Sequence, residues 1–337
     1  MLMLACAAGV AIGAGDATPP PAAAPVWPPP PAEPVVRYVR TVAGPAEWGV
    51  TAGLFDRIVD ALTSKQEERF VRPTGVAERQ GVLYVADPGA PALWIIDATE
   101  NRVTRVDRVD DTVLVSPVAV ALGPEASVFL ADTVLKKVFR LDHAGNPIEV
   151  AAAAELARPS GLAYDSERHE LYVADSSAHR IAVFGAGAKL VRILGERGAA
   201  DGAFNAPTHL AFDRSGVLLV TDALNYRVQA FDRDGRFLWK MGRQGDGSGD
   251  FAAPKGVASD GAGNVYVVDA LFDAVQVFDR RGTLLLSFGE RGTRVGQFWL
   301  PGGIFITAQD EVYVADAYNR RIQEFRAMPP RGKEVAK

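Results

Sequence analysis

An aspartate recurs along this chain at Asp87, Asp132, Asp175, Asp222, Asp269 and Asp316, with separations of 45, 43, 47, 47 and 47 residues. Each stands 14 to 16 residues after a proline, at Pro73, Pro117, Pro159, Pro207, Pro254 and Pro301. Such a period marks a unit that cannot bury its apolar face alone and must stack on its neighbours. The 337 residues are therefore expected to form one repeat body rather than two ordinary domains.

The stretch Pro207 to Phe231 shows the unit best. LAF after Pro207 reads as a short inner strand, and Asp213-Arg214-Ser215-Gly216 as a turn whose glycine is free to take positive φ. VLLVTD is the second strand, VQAF the third, Asp232 to Gly235 the next turn and RFLWKM the fourth strand. Four strands in each of six units predict an all-β, six-bladed propeller.

The last unit supplies only three strands, and the chain supplies the missing one early. Val35 to Ala43 (VVRYVRTVA) stops at Gly44, as LVRIL stops at Gly195, FLWKM at Gly242 and LLLSF at Gly289. This N-terminal strand is predicted to close the last blade and cover its open edge. The joints form a second pattern. Gly195, Gly198, Gly202, Phe204 and Pro207 recur as Gly242, Gly245, Gly249, Phe251 and Pro254, and again as Gly289, Gly292, Gly296, Phe298 and Pro301. The first three joints differ, so one half of the ring is regular and the other is not.

The motifs P-x-G-V-A, V-Y-V-A-D and N-x-R-I-Q-x-F, the last at Asn319 to Phe325, resemble NHL repeats over about residues 70–326. The chain is similar to bacterial six-bladed NHL propellers with four-stranded blades. That family includes RNA binders, partner-binding modules, sensor domains and a metal-dependent lyase that makes peptide amides, so the resemblance implies the fold more than a chemistry.

Outside the body (35–326), the chain divides into residues 1–17, a proline-rich 18–34 and a tail at 327–337. Residues 1–15 are apolar and small, and Met3-Leu4-Ala5-Cys6 resembles a bacterial lipobox, making Cys6 the lipidation candidate. Export to the periplasm or anchoring at the envelope is the expectation, against a cytoplasmic alternative. The proline-rich stretch reads as a polyproline spacer of about 50 Å. Leu54, Phe55, Ile58, Val59 and Leu62 share one helical face and predict an inserted helix near residues 53–69.

A net charge of −5 gives no general attraction for nucleic acid, and a single cysteine permits neither an internal disulfide nor a thiolate metal site. Loops after each repeated aspartate and each fourth strand open on one face. This face would carry Asn225, Tyr226 and Asn319, with Arg197, Arg243 and Arg291 from the joints. Each Asp with the Arg five positions on (Asp175 and Arg180, Asp222 and Arg227, Asp316 and Arg321) reads as an internal ion pair. Most inner strands place glycine or alanine two residues after the proline, but unit four has His209. With Thr208 and Lys255 it offers a polar lining to the axial mouth.

The four histidines do not gather into a ligand set, the inner strands lack hard-cation ligands, and no nucleophile or phosphate-loop motif is present. No cofactor or metal is expected. The sequence points to a monomeric, non-catalytic binding or scaffold propeller that presents its loop face to a protein or peptide. The alternative is a small-ligand sensor, or a lyase- or lactonase-type enzyme, working at the axial mouth.

Overall fold

The computed structural model describes residues 24–33, 35–51, 68–153 and 155–328. Six antiparallel sheets follow one another around an axis. Blades 1 to 5 have inner strands Gly75–Arg79, Pro117–Leu122, Pro159–Asp165, Pro207–Phe212 and Pro254–Ser259, each continuing outward through three more strands in chain order. Blade 6 has Ile304–Ile306, Glu311–Asp316 and Arg321–Ala327, and then Val36–Val42 from the chain's beginning.

Burial follows from the architecture. Second strands such as Val265–Asp269 lie between neighbouring blades and are buried at every position. Fourth strands such as Leu284–Phe288 have one face to solvent and alternate. Six apolar clusters fill the wedges between successive blades, so each blade's core is shared with the next.

The predicted closure is present. Val36 pairs with Ala327 and Val42 with Ile322, and both valines are wholly buried. Joining the first strand to the last stops the ring opening at its seam.

The spacer reading is corrected for residues 24–33. Val26–Trp27 adds a fifth strand to blade 6, and Tyr38 N–H donates to Pro25 O at 2.9 Å. Trp27 drives this docking, its ring centroid lying 5.5 Å from Phe288 and 5.8 Å from Phe325. Apolar contact with those rings outweighs the stretch's tendency to stand free. The inserted-helix reading of 53–69 rests on residues 52–67, outside the described residues, as do Cys6 and the tail beyond Met328.

Candidate partner-binding face

The repeated aspartates are staples. Asp132 accepts from the amides of Val115 and Ser116 ahead of its blade, and from Val134 and Leu135 in the loop behind it. Asp87 and Asp269 do the same. One buried carboxylate thus ties the entry to an inner strand to the turn after the second strand, satisfying amides that no ladder reaches.

The predicted ion pairs form. Arg227 sits 2.8 Å from Asp222, Arg321 2.7 Å from Asp316 and Arg180 3.3 Å from Asp175. Arg227 also donates to the carbonyls of Ala199, Ala200 and Ala203, holding the incoming joint. Asn225 and Asn319, expected as binding residues, are part of the same frame. Their Nδ2 groups donate to Gly198 O and Gly292 O and to the blade's own aspartate. At Asp316, burial pushes the carboxyl upward against the Trp299 amide, Asn319 and Arg321, which pull it down.

The sequence reading missed the glutamines. Gln229, Gln276 and Gln323 each accept from a joint glycine amide (Gly202, Gly249, Gly296) and donate to a carbonyl beside the plugging phenylalanine (Ala203, Asp250, Gln297). Their signal was present, since each lies seven residues after a repeated aspartate.

The three joint arginines do not form an equivalent set. Arg197 and Arg291 make parallel bridges to Phe204 and Phe298, whereas the corresponding bridge to Phe251 is made by Gln244. Arg243 occupies the place of Glu196 and Glu290 and pairs with Asp250 at 2.7 Å. All three arginines remain exposed, Arg197 and Arg291 at equivalent positions of their joints and Arg243 one residue earlier in its own. Tyr226 takes a left-handed conformation (φ 54°) and packs partly on the wedge between blades 4 and 5.

A feature not anticipated from sequence distinguishes this face. Two residues past the repeated aspartate stand Val134, Leu224, Leu271 and Tyr318, and two residues before an entry proline stand Val71, Val115 and Trp299, all exposed. Trp299 and Tyr318 stack with centroids 5.6 Å apart. Among the described residues, exposed large apolar side chains also occur on outer strands, but none occurs in the turns of the opposite face.

Inside the rim, the axis is an hourglass. Val76, Val120, Leu162, Leu210, Val257 and Ile304, each three residues after its proline, form an aliphatic waist lining two cavities. Above it lies a cavity of about 50 Å³ at His209; below it lies a vestibule of about 230 Å³ lined in part by Tyr164, Phe212 and Phe305. At the level of His209 the small residues let backbones meet. A Cβ on Gly161 or Gly303 would strike the neighbouring Thr208 or Thr74 carbonyl. In blade 4, Thr221 reaches across instead and donates to Lys255 O at 2.7 Å.

His209 is held neutral: burial first, and then the charge of Lys255, pull its pKa down to about 3. Burial and then Arg158 pull Lys255 down as well, with Asp269 opposing. His209 Nδ1 and Thr208 Oγ1 are buried with no hydrogen-bond partner. A separate groove of about 370 Å³ opens between blades 2 and 3 on the opposite face. Its polar groups are engaged, Arg140 with Ser127 and Tyr164 with His169. Among the described residues, no three His, Cys, Asp or Glu side chains gather as a metal-ligand set.

Sheet order and blade count define an all-β six-bladed propeller. Residues 156–184, within blade 3, match the NHL repeat. No curated protein matches the chain in sequence. Among solved structures, it is similar to a Bacteroides thetaiotaomicron protein of unknown function (18% identity, TM-score 0.61, covering 77% of this chain and 70% of that one). It is also similar to an auxiliary nutrient binding protein from the same organism (14%, TM-score 0.60, 76% and 69%). A catalytically inactive virginiamycin B lyase from Staphylococcus aureus, solved with quinupristin, matches at 12% identity and TM-score 0.57, covering 76% and 95%. At these identities the likeness is one of fold.

Proposed function

We propose that this propeller is a non-catalytic binding module that holds a protein or peptide partner on its loop face. In this reading it acts as a monomer at the cell envelope, exported and held there through Cys6. The observation that carries it is the apolar rim of Val71, Val115, Val134, Leu224, Leu271, Trp299 and Tyr318, exposed on one face while the opposite turns carry none among the described residues. Aromatic anchors ringed by aliphatic side chains are the composition of interface hot spots. The staples, arginines and glutamines beneath hold the loops in place, which lowers the ordering cost of binding.

A photo-crosslinking residue placed at Leu224 should capture one partner in cells, and the same residue at Arg281 on the opposite face should not. Leu271→Ser combined with Tyr318→Ser should reduce that capture by about tenfold or more. Equal capture from Arg281, or capture indifferent to the double substitution, overturns the assignment of the face. Crosslinks only to another copy of the chain overturn the monomeric reading.

A further inference from the structure

The residues flanking the six entry prolines surround the axial mouth, and they include Arg72, Arg158 and Lys255 but no carboxylate. Blades 3, 4 and 5 are joined at this level, Ser160 donating to Pro207 O and Thr221, the strand partner of His209, to Lys255 O; across these contacts Arg158 opposes the charge on Lys255, and Lys255 that on His209. Among the described residues, neither the Arg158 guanidinium nor the Lys255 ammonium has a hydrogen bond or ion pair. The acid nearest in effect, Asp269, already accepts from the amides of Ala252, Ala253, Leu271 and Phe272. Like charges gathered around unpartnered buried donors and acceptors leave a place for one negative group.

The space limits what that group can be. The cavity at His209 is about 50 Å³, has Thr74 and His209 as its polar side chains, and is closed below by the aliphatic waist; Arg158, Thr208 and Lys255 flank their entry prolines outside its lining. A water molecule's share of liquid is about 30 Å³, so there is room for one functional group but not for a whole metabolite. The remainder of the ligand must lie outside the mouth, across the rim.

We propose that the axial mouth is a carboxylate receptor: Lys255 and Arg158 receive the carboxylate of the bound partner, with His209 and Thr208 supplying neutral hydrogen-bonding groups beside it. This rests on the partner-binding reading of the face and adds the chemistry at its centre. The source of the carboxylate is an acidic side chain or a chain terminus.

The site can be tested without the partner. Isotope-labelled protein titrated with acetate should show saturable shifts of the His209 imidazole resonances, and the neutral isostere acetamide should not produce them. Bound negative charge should also raise the pH at which His209 protonates. Lys255→Gln should weaken acetate binding by about tenfold or more. Arg158→Gln changes an exposed side chain, so it provides a second variant should Lys255→Gln fail to fold.

No saturable response to acetate, an equal response to acetamide, or binding indifferent to both substitutions overturns the proposal. N-acetylalanine and the α-amide of N-acetylaspartic acid offer a terminal and a side-chain carboxylate respectively; preferential binding of either supports the proposal and names the source. The rim double substitution Leu271→Ser, Tyr318→Ser should leave the acetate response intact. Partner capture lost in that variant with the response retained leaves the receptor standing. Capture retained in a protein that ignores acetate leaves the face standing without it.

Discussion

The guanidinium of Arg227 lies 2.8 Å from the carboxylate of Asp222, with the two side chains only 7% and 0% exposed. It also satisfies three joint carbonyls. Arg227→Met would leave a buried carboxylate short of its counter-ion and three acceptors empty, so a loss of about 3 to 5 kcal/mol in unfolding free energy is expected. Arg180, 3.3 Å from Asp175 and 22% exposed, can be replaced from solvent. Arg180→Met should cost less than about 2 kcal/mol. Urea denaturation of both variants checks the ordering, and equal losses would remove the argument that burial sets the scale.

A glycine shows the next joint from the steric side. Gly242 has φ +87°, and a Cβ there would run into the ring of Phe251. Gly242→Ala is expected to cost about 1 to 2 kcal/mol for the left-handed backbone and about 1 to 3 for overpacking. Gly187 has φ +66° with nothing within 4 Å of the added atom, so Gly187→Ala should show the backbone cost alone. Adding Phe251→Leu to Gly242→Ala should recover part of the steric loss. A double variant no more stable than Gly242→Ala would mean that the ring is not the obstacle.

What could be read in the sequence was whatever the repeat wrote more than once. The staple aspartates, entry prolines, joint glycines and plugging phenylalanines occur in several units, and the closing strand stood out because the last unit lacked one. Gln229, Gln276 and Gln323 recur as regularly, but a glutamine carries no geometry of its own until the amide and carbonyl it bridges are in place. The stretch 24–33 was read as a spacer because the partners of Trp27, Phe288 and Phe325, lie at the other end of the chain. Arg243 aligned with Arg197 and Arg291 as a residue type but not in register, and only the bridges to the phenylalanines separate them. The apolar rim escaped because single exposed valines and leucines mean nothing until the topology puts them on one face.

His209 makes stability depend on pH. Its folded pKa of about 3 lies below its ordinary value of 6.5, with burial as the first cause and Lys255 as the second. The unfolded chain therefore binds this proton more readily, and stability is fully present above pH 6.5 and is lost as pH falls toward the folded value. Between about pH 6.5 and 4.5 the unusually low aspartates Asp97 and Asp142 remain ionised in the folded protein, so they contribute little. The urea midpoint should fall over that window, and His209→Gln should flatten the fall. A slope unchanged by the substitution would place the pH dependence elsewhere.

Docking of the N-terminal stretch separates two contributions to closing the ring. Trp27 contributes ring contacts with Phe288 and Phe325, whereas Val36–Val42 contributes the ladder to Arg321–Ala327. Trp27→Ala should therefore cost about 2 to 3 kcal/mol, at the lower end for an aromatic truncation because the indole is only partly buried. Amides of Arg321–Ala327 should stay protected from hydrogen exchange in that variant, because their ladder is intact. Removing the chain through Ala43 takes away the ladder as well, leaving Arg321–Ala327 as an open edge beside an unfilled wedge. That truncation should lose the protection and associate with rising concentration in sedimentation. Protection retained without residues 36–42 would show that the sixth blade holds its edge by some means other than the first strand.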